Sequence, residues 1–210
     1  MSARALVVYE SMFGNTERVA LAIRDGLRVH VPAEAVAVNE APTVVPDDVA
    51  LVVVGGPTHA FSMSRPSTRA DASKQSELVM PTELGIREWL DALGRAAAGG
   101  AGGAGGAGGG AGGGAGGAGG AGGAAGGAAG RTTRAATFDT RVTKVRHLPG
   151  SAARAAERHL RKLGYKILSP AESFYVDDLT GPLHQAEQTR AEQWGQHLAQ
   201  LLTTIRSATR

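Results

Sequence analysis

Cysteine is absent from all 210 residues. That excludes disulfides, thiolate metal sites and thiol catalysis, and it fits a cytoplasmic address. No apolar run approaches the roughly eighteen residues that a membrane span requires. Aromatic residues make up only 4% of the chain, too few to interleave with basic residues as a nucleic-acid stripe would need. An acidic excess is missing too. The 22 Lys and Arg outnumber the 19 Asp and Glu, for a formal charge of +3. The cations are mostly Arg and are spread over helices, as at Arg154, Arg158, Arg161 and Lys162, where they read as a solvated face. None of the six His forms an H-x-x-x-H pair, which leaves zinc or iron without a ligand pattern. The Gly-x-Ser-x-Gly turn of a hydrolase nucleophile is also lacking. At the amino end, Met1-Ser2-Ala3-Arg4 leads straight into an apolar run and leaves no room for a secretory signal.

What is present begins at that run. Ala5-Leu6-Val7-Val8-Tyr9 reads as a buried strand, and Ser11-Met12-Phe13-Gly14-Asn15-Thr16 follows it into an amphipathic stretch. A strand, a short hydroxyl- and glycine-bearing loop and a helix N-terminus together make an anion site. Unpaired N–H groups of the first turn point outward there, and the helix dipole favours negative charge. Ser11 and Thr16 add hydroxyls, Asn15 an amide, and Gly14 permits close backbone approach. The loop contains no Lys or Arg, and it matches neither the Gly-Lys-Ser/Thr triphosphate loop nor the Gly-x-Gly-x-x-Gly dinucleotide loop. Its chemistry suits a phosphate monoester.

Strand and helix signals then alternate, the pattern of a parallel sheet covered by helices on both faces. Residues 15–28 read as a helix through Val19, Ile23 and Leu27, residues 35–38 as a short strand, and residues 50–54 as a fully buried one. Helical spacing returns over residues 82–93 through Ile86, Trp89, Leu90 and Leu93. Residues 99–130 are only Gly and Ala, 21 of one and 11 of the other. Such a segment cannot bury a core, so it is expected to be a disordered insert within one 210-residue domain. Residues 135–138 read as the fourth strand and residues 151–163 as a helix that Gly164 caps. Residues 165–168 and 173–176 supply the last strand and a connection. The final helix spans about 184–205, with Ala191, Trp194, Leu198 and Leu201 as its buried stripe.

Two blocks carry a family resemblance. Val7-Val8-Tyr9-Glu10-Ser11-Met12-Phe13-Gly14-Asn15-Thr16-Glu17 resembles the FMN phosphate loop of flavodoxins. Gly55-Gly56-Pro57-Thr58-His59-Ala60-Phe61-Ser62-Met63-Ser64-Arg65-Pro66 resembles the loop that edges the flavin ring. The tail from Phe138 to about Leu202 is similar to the end of bacterial flavodoxin-domain proteins. The resemblance implies a flavodoxin-like α/β three-layer sandwich, with five parallel strands in the order 2-1-3-4-5. It also implies non-covalent FMN, electron transfer as the activity, and no catalytic side chain.

Three loops would then converge at one sheet edge. Ser11, Met12, Phe13, Gly14, Asn15 and Thr16 would hold the phosphate. Pro57, Thr58, His59, Ala60 and Phe61 would edge the ring, with Gly55 and Gly56 allowing close backbone approach. Asp139, Thr140 and Arg141 would form a third loop after the fourth strand, Asp139 serving otherwise as a turn residue. Arg65 and Arg69 are expected to be exposed. Flavodoxins often carry a stacking Tyr in the third loop, but no aromatic occurs here between Phe138 and Tyr165. Flavodoxins are also usually acidic, so the positive charge of this chain implies partners unlike theirs. The alternatives are a flavin-dependent oxidoreductase (quinone reductase or protoporphyrinogen-oxidase-like) using an open ring face, and a flavin-free interaction module of the same fold.

Overall fold

The computed structural model describes residues 3–59, 62–74, 83–99, 132–145, 147, 149–178, 181–183 and 185–208. The apolar run forms β1 (Arg4–Tyr9), with Ala5 to Val8 fully buried. It pairs in parallel with β2 (Ala33–Ala37) and with β3 (Val49–His59). On the far side of β3 runs β5 (Arg134–Val142), again parallel, while β4 (Ser62–Met63) folds back antiparallel on the tail of β3. Two short strands complete the sheet. β6 (Lys166–Ile167) pairs with the start of β5, and β7 (Glu172–Val176) pairs with its end, Phe138 to Val142.

The sheet thus has seven strands in place of the five parallel ones expected. The core order β2-β1-β3-β5 is as read, but the edge strand is broken in two and β4 is added. The break contains Pro170, which has no N–H to give a ladder. β5 also runs four residues past Phe138, because β7 supplies it with parallel partners that no local signal announces.

Five helices flank the sheet among the described residues. These are α1 (Asn15–Arg28), α2 (Pro66–Ser73), α3 (Ile86–Gly99), α4 (Ala152–Lys162) and α5 (Gln185–Ala208). α1 buries Val19, Ile23 and Leu27 as their spacing dictates. With α5 it covers one face around Phe138, Phe174 and Trp194, whose rings meet edge to face at 6.1–6.5 Å. The two helices cross tightly: a Cβ on Gly26 would lie 2.0 Å from the Glu192 carbonyl oxygen. The buried stripe of α5 ends on Leu202 rather than Leu201. On the other face α3 and α4 pack through Ile86, Trp89, Leu90, Ala152, Ala156 and Leu160. Ser151 caps α4, and Gly164 follows the helix at φ 85°.

None of the helices among the described residues is long and apolar enough to cross a membrane. Of the expected Gly/Ala insert only Gly99 is described, as the last residue of α3; the rest lies outside the described residues. The chain re-enters at the sheet edge where the strands begin, since Arg134 pairs with Leu51. The candidate site occupies the opposite edge.

Candidate functional site

At the carboxyl edge of the sheet, Glu10 and Ser11 follow β1, and the chain turns through Gly14 into α1. Gly14 is the N-cap at φ 83° and ψ −15°, a left-handed conformation that glycine adopts without strain. Nothing lies within 4 Å of where its Cβ would stand, so the loop faces open space. Ser11 Oγ accepts from Glu17 N at 3.1 Å, which turns its hydroxyl inward as a cap. Asn15 Nδ2 donates to the Gly181 carbonyl at 2.6 Å, and Thr16 Oγ1 shares a 2.7 Å hydrogen bond with Thr140 Oγ1. The side-chain donors expected to reach a ligand therefore hold the loop in shape. Past them, Asn15 and Thr16 open the helix, where N–H groups have no carbonyl one turn earlier to bond.

A narrow cleft adjoins this turn. It is lined by Met12, Phe13, Asn15, Thr16, Pro57, Thr58, His59, Thr140, Val142 and Val176, so residues of all three expected loops meet there. Its enclosed room is about 40 Å³, enough for a water molecule. A ring system would have to lie at its mouth. Burial, helped by the charge of Arg69, holds the His59 imidazole below its ordinary value, so it is neutral at neutral pH. Ala60 and Phe61, expected at the ring edge, lie outside the described residues.

The third loop is a strand. Asp139, Thr140 and Arg141 are buried within β5. Strand alternation sends Thr140 toward α1, and Asp139 and Arg141 to the opposite face. Asp139 Oδ2 accepts from Thr58 Oγ1 at 2.7 Å, Ser151 Oγ at 2.5 Å and Ala153 N at 3.1 Å. Thr58 Oγ1 in turn accepts from Ala152 N at 2.9 Å. The N-terminus of α4 is thereby filled by a carboxylate of the chain itself. Asp139 is not the turn residue that sequence alone suggests.

A second carboxylate fills α3. Glu10 is 1% exposed; its Oε2 accepts from Ile86 N at 2.9 Å and its Oε1 from Ser64 Oγ at 2.5 Å. Arg69 donates to Ser64 Oγ at 2.7 Å and to Glu88 Oε2 at 2.9 Å, and Glu88 also accepts from Gly85 N. Arg69 is 0% exposed, against the expectation of a solvent-facing side chain; Arg65 is exposed as expected. Burial pushes the Glu10 carboxyl above its ordinary range, while its hydrogen bonds and the Arg69 charge pull it back.

This buried network escaped sequence reading. The one available signal is that Glu10 continues the alternation of Leu6 and Val8 toward the α3/α4 face. The paired glycines also serve differently than expected. A Cβ on Gly55 would lie 2.1 Å from the Phe138 ring, and one on Gly56 would lie 3.3 Å from Ile86, so core side chains occupy the space they leave.

No family model and no curated protein matches this sequence. Solved structures do. The fold is similar to a flavodoxin from the domain Archaea, with TM-score 0.58, 15% identity, and 95% of this chain and 99% of the other covered. It is similar to the flavodiiron core of Flv1 from Synechocystis sp. PCC6803, with TM-score 0.56 and 14% identity. That match covers 97% of this chain and 37% of the other. A Streptococcus pneumoniae flavodoxin matches at TM-score 0.54 and 14% identity, over 94% and 99% of the two chains. The fold is accordingly the flavodoxin-like α/β sandwich.

Proposed function

We propose that the chain binds FMN and transfers electrons. One observation carries the reading. The helices α1, α3 and α4 begin at the carboxyl edge, and two of them, α3 and α4, are filled by Glu10 and Asp139. The N-terminus of α1 is left open above a positive-φ glycine with clear space over it. An anion from outside has its place there, and neutral N–H donors suit a phosphate monoester such as that of FMN. The phosphate would be held by the turn from Met12 to Thr16. The ring edge would lie against Pro57, Thr58 and His59 at the cleft mouth. When bound, the isoalloxazine supplies the one- and two-electron chemistry, and the chain positions it and sets its surroundings.

The absorbance spectrum of the purified protein after reconstitution with excess FMN and desalting tests this. A retained flavin band is expected. Gly14→Asp should weaken flavin retention by about tenfold or more, because it sets a carboxylate where the phosphate would stand, in a conformation Asp tolerates. A colourless wild type would turn the reading to a flavin-free module. A second reading, a flavin-dependent oxidoreductase, draws on the absence of any aromatic between Thr143 and Ser151 to cover the outer ring face. Turnover of a quinone by the loaded protein, above that of free FMN, would favour it.

A further inference from the structure

We propose that the outer face of α4 is the docking surface for an acidic electron-transfer protein; the proposal rests on the electron-transfer reading above. Between Arg154 and Lys162 this helix carries four cations and one anion, a formal +3 that equals the net charge of the whole chain. Elsewhere the helices are balanced: α3 has two of each sign, α5 two of each, and α1 three cations against two anions. Arg154, Arg158, Arg161 and Lys162 are all exposed. The anion of α4, Glu157, is engaged by Arg161 at 2.9 Å. No carboxylate of the described residues pairs with Arg154, Arg158 or Lys162.

Part of the arrangement works against the fold. Arg154 stands in the first turn, where the dipole disfavours a cation and the Asp139 carboxylate is the offsetting charge. Arg161 and Lys162, by contrast, stand in the last turn, which favours them. Arg154 and Arg158, then Arg158 and Lys162, are like charges four residues apart on one face, which repel. Like charges at this spacing, three of them without a carboxylate partner among the described residues, are explained by a partner outside the chain.

The position and chemistry of this cationic stripe indicate which. α4 is capped by Ser151, hydrogen-bonded to Asp139 beside Thr58 of the cleft, so the stripe runs outward from the candidate site. Lys144 is a further exposed cation on the connection from β5 to α4. Among the described residues the exposed large hydrophobics are Val29 and Val44, neither of them on α4. The stripe thus lacks the aromatic platform of a single-strand binder and the apolar face of a membrane-surface helix. Carboxylates on a folded protein are what a short, purely cationic stripe complements.

The test is a titration of the full chain with an acidic plant-type [2Fe–2S] ferredoxin, followed by calorimetry at low salt. Binding is expected to weaken by about tenfold or more between 20 and 200 mM NaCl, as close charge pairs require. Arg154→Glu/Arg158→Glu/Lys162→Glu should abolish it, with circular dichroism confirming the fold. The same number of reversals on the α1/α5 face, Arg24→Glu/Arg28→Glu/Arg206→Glu, should leave most of it. Binding that ignores the α4 reversals overturns the proposal. So does an absence of ferredoxin binding while a 20-base-pair duplex or phosphatidylglycerol vesicles bind α4. The assay needs no flavin. A colourless protein that binds ferredoxin through α4 keeps the docking surface and removes the FMN reading, whereas a yellow one that does not bind does the reverse.

Discussion

The N-termini of α1 and α4 stand at the same sheet edge and are treated in opposite ways. Around α4, Asp139, Thr58 and Ser151 converge until the first N–H groups have acceptors. At α1 the N-cap is a glycine without a side chain to offer, and Ser11 reaches only as far as Glu17 N. The dipole and orphan donors are the same physics at both. The difference is whether the chain provides its own anion. Where it does, a buried carboxylate makes the edge part of the fold; where it does not, the edge can serve as a site. α3 sides with α4, since Glu10 reaches it from the strand end that precedes the open turn. One residue, Glu10, closes α3, and its sequence neighbour Ser11 starts the loop that leaves α1 open.

The severest way to break this comparison is to strip the filled side of its counter-charge. Arg69 is wholly buried between Ser64, Glu88 and the Glu83 carbonyl. Arg69→Met should destabilise by about 3–5 kcal/mol, the cost of leaving buried carboxylates without their cation. Chemical denaturation measures it. Adding Glu10→Gln should recover part of the loss, because the two groups act through one network. A cost below about 1 kcal/mol, in the range of an exposed pair, would mean that the network is not load on the fold.

A milder probe sharpens the same contrast through pH. Burial raises the Glu10 carboxyl above its usual 4.5. Between that value and its folded one, the native state holds more protons than the unfolded state. The contribution is therefore complete below 4.5 and is lost as pH rises through the folded value. His59, lowered from 6.5, has the opposite slope, gaining as pH rises toward 6.5. Glu10→Gln removes only the first of these. Thermal melts from pH 4 to 8 should show the wild type losing ground to the variant as pH rises; parallel curves would show that Glu10 does not titrate in that window.

How much of this was readable depended on distance along the chain. The opening of α1 was legible residue by residue, because Gly14, Asn15 and the Val19-Ile23-Leu27 spacing are local signals. Ser151 and Gly164 marked α4 for the same reason. Neither filled terminus was legible. Glu10 meets Ser64 and Arg69, and Asp139 meets Thr58, across separations that periodicity does not encode. Asp139 also looked like a turn residue because the strand signal fades after Phe138, and only pairing with β7 carries β5 onward. The three segments singled out in the sequence do meet, since Met12, Thr58 and Thr140 line one cleft. The economy of that meeting was not legible: the hydroxyl of Thr16, expected to reach a ligand, is shared with Thr140.

The smallest expected effect asks whether the filling of α4 is divisible. Ser151 Oγ donates to Asp139 and accepts from Arg154 N, so it is at once the cap of the helix and one of the donors around the carboxylate. Ser151→Ala removes both bonds, and an ordinary lost cap costs about 1 kcal/mol. Asp139 Oδ2 would still accept from Thr58 and Ala153 N, while Oδ1 has no hydrogen-bond partner among the described residues even before the change. If the remaining donors suffice, denaturant unfolding should show about 1 kcal/mol and no more. A loss near 3 kcal/mol would mean that the carboxylate needs every donor it has, because a buried charge left short of hydrogen bonds carries a larger penalty than a lost cap. In that case Asp139 is held at the edge of its tolerance, and the open terminus of α1 could not be closed in the same way without a comparable set of donors around it.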